Sequence, residues 1–131
     1  MAAIEYKVHG RQWMLYAVAD VLYGNVNNVD TFVIILPPNS LLDNLTVDTT
    51  TAVATATTAT LTITDGTTTY VNAVDLKSAG RETVANIGAF FPNGATLTVT
   101  TATTGSAATA GESIVAAGYV VVGRSNETQS Q

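Results

Sequence analysis

Strict alternation of apolar and polar residues marks residues 59–65, where Ala59, Leu61 and Ile63 fall on one side and Thr60, Thr62 and Thr64 on the other. A period of two puts successive side chains on opposite faces of an extended backbone, so this segment is predicted to be a half-buried strand. The pattern recurs at residues 95–101 (ATLTVTT), and residues 40–48 carry Leu41, Leu45 and Val47 in a third predicted strand. No longer register of identities accompanies the echo, so similar strand environments explain it better than a duplicated unit. Residues 31–36 (TFVIIL) are apolar on both sides and stop at Pro37-Pro38, which donate no ladder hydrogen bonds. That predicts a central strand with Phe32, Ile34 and Leu36 in the core, while Val33 and Ile35 require a second cover, from an N-terminal arm or another subunit. The last run, residues 112–123, is again apolar on both sides, with Ile114, Ala116 and Val120 opposed to Val115, Ala117 and Val121.

Between these runs lie the turn signals. Asp65-Gly66 supplies a residue tolerant of left-handed backbone, and residues 67–71 return as the second strand of a hairpin. Pro92-Asn93-Gly94 and residues 105–111 are predicted turns around a strand at residues 81–91 and the strands that follow. Residues 49–58 read either as a long threonine-rich loop or as a strand with both faces partly buried. Residues 73–80 (AVDLKSAG) predict one or two turns of helix ending at Gly80. Residues 1–28 hold the only Trp and His and three of the five Tyr, with Gly24, Asn25, Asn27 and Asn28 spaced as a loop. Within them residues 12–19 favour a strand, although Trp13, Tyr16 and Ala17 would also suit one helical face. The expected fold is all-β: a jelly-roll-like β-sandwich of about eight strands with one short helix and an N-terminal arm. Residues 1–30 form the arm or first strand and loop, residues 31–124 the sandwich, and residues 125–131 a polar tail that frays.

Composition narrows the reading. Apolar residues are 47% of the chain and charged residues 11%, so hydroxyls must cover much of the surface, and Thr suits a pleated one. At 131 residues the chain has room for one core and no second domain. A net charge of −5 with only five Lys and Arg argues against nucleic acid, whose phosphates demand clustered cations. No apolar stretch reaches the length of a membrane span or of a signal-peptide core, so a soluble, unprocessed chain is expected. The absence of Cys removes disulfides and thiolate metal sites and is compatible with a reducing cytoplasm.

Candidate chemistry is sparse. His9 is the sole imidazole, so a nucleophile–His arrangement can form only around it, and zinc would find a single nitrogen ligand. Asp43 with Asp48, or Asp65 with Asp75, could in principle frame a glycosidase pair, but turn Asp residues ordinarily serve backbone hydrogen bonds. No Asp-x-Asp-x-Asp-Gly calcium loop or phosphate-binding glycine loop is present. An enzyme is therefore not expected, and no cofactor.

Three runs carry a resemblance: Leu36-Pro37-Pro38-Asn39-Ser40-Leu41-Leu42, then Asp75-Leu76-Lys77-Ser78-Ala79-Gly80-Arg81, then Thr109-Ala110-Gly111-Glu112 leading into Tyr119-Val120-Val121-Val122-Gly123-Arg124. Together they resemble the small jelly-roll decoration or cement proteins that lock the capsids of tailed bacteriophages. The resemblance implies a structural protein on the outer capsid surface of a virion, made in the host bacterial cytoplasm. Its partners would be the major capsid protein and further copies of itself, a homotrimer being slightly favoured over a homodimer, with no nucleic acid and no membrane. Trp13, Tyr16 and Tyr23 of the arm, and the scarce charges Arg81, Glu82 and Arg124, are the candidate capsid or subunit contacts. The alternative is a virion receptor-binding or fibre-tip module, in which the same aromatics would line a glycan groove.

Overall fold

The computed structural model describes residues 14–122. Strand β1 (Leu15–Leu22) leads into helix α1 (Tyr23–Asn28), and β2 (Thr31–Leu36), β3 (Ser40–Thr64), β4 (Thr69–Asp75), β5 (Gly80–Val84), β6 (Ala89–Phe91) and β7 (Ala95–Val121) follow. All the pairings are antiparallel, and β3 and β7 run beside each other from Ser40↔Val121 to Thr64↔Thr98. Every other strand attaches to one half of this long ribbon. β1 lies against residues 112–119 of β7, while β5 and β6 lie against residues 40–49 of β3. β2 lies against residues 95–100 of β7, and β4 against residues 60–64 of β3. The result is two layers in the orders β1-β7-β3-β5/β6 and β2-β7-β3-β4, joined through the two long strands in an unclosed sheet. This is the double-sheet arrangement of a jelly-roll-like β-sandwich.

The alternation seen in the sequence fills the space between the layers. Leu42, Leu45, Val47 and Val115 point inward from one half, and Leu61, Ile63, Leu97 and Val99 from the other, all within one buried cluster. Thr49 and Ser113, also buried, satisfy each other through hydroxyls 3.0 Å apart. The ribbon bends where its pairing slips, through successive register shifts between Thr49 and Thr58. Two cross-strand hydroxyl pairs stitch this bend, Thr55 with Thr109 at 2.7 Å and Thr58 with Thr104 at 2.5 Å. Bulges add local twist and let one strand turn a corner between sheets.

Several expectations are corrected. Residues 105–111 are not a turn, and of the two readings of residues 49–58 the strand holds and the loop does not: both segments belong to the continuous β7 and β3, so two predicted strand pairs merge into two long strands. Residues 81–91 are not one strand but β5 and β6, separated at Asn86 and Gly88, whose φ of 58° and 66° interrupts the ladder. The helix predicted at residues 73–80 is absent. There β4 ends at Asp75, whose Oδ1 accepts the Lys77 N–H, and the chain bends toward β5. Leu76 is fully buried in the bend, its N–H donating to the Ala59 carbonyl and its own carbonyl accepting from Val53 N–H. Tertiary hydrogen bonds and burial thus override a weak local helix preference.

Among the described residues the one short helix is α1, where a loop was expected. Its asparagines make the turn hold: the Asn25 side chain accepts the Leu22 N–H at 3.0 Å and donates to Asp30. Val29 closes the helix in the left-handed region with φ 53°. Asn27 grips β7 like a strand partner, donating from Nδ2 to the Ala108 carbonyl at 2.9 Å and accepting the Ala108 N–H at 2.8 Å. Val26 plugs into the core beneath it. Finally, β2 is an edge strand and not a central one, since it pairs with β7 alone.

Candidate interaction surface

The two outer faces differ in chemistry. Beyond the core, the β2–β7–β3–β4 layer presents threonine: Thr98 stands opposite Thr64, and Thr100 opposite Thr62. Only the β2 edge of that layer is apolar, with Ile35 74% and Val33 54% exposed. The outer face of the other layer is largely apolar. Leu41 stands between Val120 and Phe90 at one end, Val18 lies beside Ala116, and the exposed residues include Met14, Tyr16, Val18, Leu22 and Phe90. Large uncovered apolar faces on small proteins are characteristic of surfaces that meet a partner.

Tyr16 is held on this face by a missing side chain. It pairs with Gly118, and a Cβ built on Gly118 would lie 3.0 Å from the Tyr16 ring and 2.7 Å from Asn44 Oδ1, so the ring and the amide close over bare backbone. At the other end the face turns acidic. Asp20 is opposite Ile114, Leu22 is opposite Glu112, and the two carboxylates are diagonal neighbours. A hydrogen bond to Asp20, together with its charge, raises the Glu112 carboxyl above its ordinary range. On the far side of the same row Arg81 reaches Asp48 at 3.4 Å, with 67% of its side chain exposed. Lys77, the other described cation, donates to the Ala56 carbonyl.

The sequence-predicted contact residues separate. Tyr16 and Arg81 share the apolar layer's outer face, whereas Tyr23 opens α1 at the opposite end of β1, about 24 Å from Tyr16 at roughly 3.4 Å per residue. Arg81 pairs with Asp48 across the ladder and not with its neighbour Glu82. Arg81 and Glu82 both border a cleft of about 230 Å³ under the β4–β5 bend, together with Val47, Val74, Asp75 and Gly80. That is below the roughly 300–1,000 Å³ usual for small-molecule sites. Trp13, Arg124 and His9 lie outside the described residues, as does the 125–131 tail. Sequence reasoning missed the Asp20–Glu112 pair, because its proximity depends on strand register; alternation along Tyr16, Val18, Asp20 and Leu22 was the available signal.

The remaining carboxylate of note is a turn residue. Asp65 Oδ1 accepts the N–H groups of Thr67 and Thr68 at 2.8 and 2.7 Å, and Oδ2 accepts the Tyr70 hydroxyl at 2.7 Å. Burial works to raise the Asp65 carboxyl, but these hydrogen bonds outweigh it and hold it below its ordinary range. Burial, then the Asp65 hydrogen bond and charge, push Tyr70 up to about 12. The unfolded chain releases this proton near pH 10 whereas the native state keeps it, so Tyr70 makes stability fall as pH rises from about 10 to about 12. Asp65 acts oppositely: its contribution is present above the unfolded value near 3.9 and is lost as pH falls through its lower folded value. Tyr70→Phe is therefore expected to flatten the alkaline decline of the melting temperature over that window; a decline as steep as the native chain's would contradict the assignment.

Among the described residues no three His, Cys, Asp or Glu side chains converge as a metal site, and no helix is long and apolar enough to cross a membrane. The class defined is a β-sandwich with one outer apolar face and one open apolar edge. No protein-family model and no curated protein matches the chain. Among solved structures, a chain described as belonging to the cyanophage Pam1 capsid asymmetric unit is similar, with a TM-score of 0.62 over 92% of this chain and 92% of that one at 18% sequence identity. The likeness is one of fold.

Proposed function

We propose that this chain is a non-enzymatic structural protein of a phage virion, a cement or decoration protein that binds the outer surface of the assembled capsid and stabilises the head. The observation that carries the reading is the likeness, across nearly the whole of both chains, to a chain of a capsid asymmetric unit. Coverage of 92% of each makes the two chains comparable in length. The physics is sufficient without chemistry: a protein that binds the closed shell and not its free subunits stabilises the shell by mass action. The partners are the major capsid protein and further copies of the chain.

The grip on the shell is assigned to residues 1–13, with Trp13, and to the open side of the sandwich where β2 exposes Val33 and Ile35 and α1 exposes Tyr23. An edge strand that carries no charge, bulge or internal proline keeps its backbone groups ready for a partner. Residues 15–22 are excluded from the detachable arm, because β1 is a full member of the sheet with Val21 buried. Mixing the protein with capsids of the parent virus and pelleting them tests the reading. Stoichiometric co-pelleting with a raised capsid melting temperature is expected, and removal of residues 1–13 is expected to weaken attachment with the fold intact. Protein that stays in the supernatant at saturating concentration contradicts it.

A further inference from the structure

We propose that two copies of the chain pair face to face through the apolar outer surface of the β1–β7–β3–β5/β6 layer, about a two-fold axis running along the strands. The proposal concerns self-association and does not depend on attachment to a capsid. Its basis is that this face is self-complementary in rows. Across the sheet, one row reads Val120, Leu41, Phe90, with Met14 next before β1 begins at Leu15 opposite Tyr119. A second reads Val18, Ala116, Thr46, Thr83, and a third Asp20, Ile114, Asp48, Arg81.

A two-fold axis parallel to the strands keeps each row over itself and exchanges the β1 side with the β5/β6 side. Val120 then meets the second copy's Leu41, Phe90 meets its Met14 end, and Arg81 meets its Asp20. In such an isologous contact every pairing occurs twice. Among the described residues no cation stands beside the Asp20–Glu112 pair: Lys77 is engaged with Ala56, while Arg81 lies across the sheet on Asp48 with most of its side chain exposed. The second copy's Arg81 supplies the missing charge, and removes the repulsion between two adjacent carboxylates. An axis across the strands would instead lay Glu112 over the apolar row of Val120, a carboxylate against hydrocarbon with no cation beside it, whereas Asp48, which the axis along the strands lays over Ile114, keeps Arg81 at 3.4 Å.

The face is large enough. Four strands about 4.8 Å apart and eight residues of about 3.4 Å cover roughly 19 by 27 Å, or about 500 Å² per copy. Doubled, that meets the roughly 1,000 Å² expected of a specific interface. Aligned packing of two such sheets is also a common geometry. The threonine face and the β2 edge remain outward, free for another partner.

Sedimentation velocity of the full chain, with circular dichroism to verify folding, tests the proposal. The native chain is expected at the mass of two copies. Arg81→Glu, which sets a third carboxylate against the pair, is expected to weaken self-association about 10-fold or more. Val18→Asp should give a folded monomer, and the double variant Asp20→Arg with Arg81→Glu should restore the dimer. A native chain that is monomeric at about 100 µM, which would put any dissociation constant beyond a specific dimer's range, overturns the proposal. So does a mass other than two copies, or a dimer unaffected by both Arg81→Glu and Val18→Asp. Capsid pelleting of the same variants separates the two readings: a native dimer that fails to attach contradicts the capsid assignment alone, and a native monomer that attaches contradicts the dimer alone.

Discussion

Replacing Leu61 with Ala is expected to lower the unfolding free energy by about 2–5 kcal/mol, a large part of the roughly 5–15 kcal/mol typical of a whole domain. Leu61 is fully buried in the core cluster, at the point where β3 lies between β7 and β4. The lost methyl groups leave a cavity that the layers cannot close, because the backbone on both sides of Leu61 is fixed in the ladder and the Leu76 N–H is bonded to the neighbouring Ala59 carbonyl. Val18→Ala, on the outer face and 62% exposed, is the control and should change monomer stability by no more than about 0.5 kcal/mol. Denaturant titration measures both. Equal effects would mean that the inward and outward faces are misassigned.

Gly105→Val is expected to be comparably damaging for a different reason. Gly105 has φ 84°, in the region where β-branched residues are strained, and any Cβ would clash with Thr57 Oγ1 and lie 2.9 Å from the Thr57 backbone nitrogen. The strain costs about 1–3 kcal/mol and the overpacking about as much again. The site is where β3 and β7 turn from one layer to the other, so relief of the clash must come from breaking the Ala56–Gly105 pairing. Loss of amide protection on both strands of the bend, together with a lower melting temperature, would be the signature. A melting temperature within a degree of the native chain's would contradict the geometry.

Both sites show where the sequence was legible and where it was not. Alternation at Ala59, Leu61 and Ile63, and at Leu97 and Val99, named inward residues directly, because period-two burial is a local property of a half-buried strand. The Asp65-Gly66 turn was equally local. Residues 105–111, in contrast, are glycine, alanine, serine and threonine without a period, and they become strand only because β3 runs alongside and bulges absorb the mismatch. The helix at residues 23–28 rests on asparagine side chains that bond backbone, at Leu22 and at Ala108, and on a single buried Val26. Neither leaves a helical period.

The apolar run TFVIIL gave the right type of element and the wrong position. Burial on both sides suggested the middle of a sheet, whereas β2 sits at an edge with Val33 and Ile35 uncovered. Apolar residues on both faces suit a central strand as well as an edge strand, so the pattern alone does not fix where the strand sits in the sheet. The same holds for the apolar outer face. Tyr16 and Arg81 were recognisable as unusual, but their membership of one surface, and the Asp20–Glu112 pair between them, follow from register across three strands.

The most direct test of the central assignment is electron cryomicroscopy of capsids from the parent virus incubated with the purified protein. Stoichiometric density for a two-layered β-sandwich is expected on the outside of the shell at its symmetry axes, with additional density joining the β2 side to the capsid surface. Bare shells under saturating protein, or density confined to the tail, would contradict it.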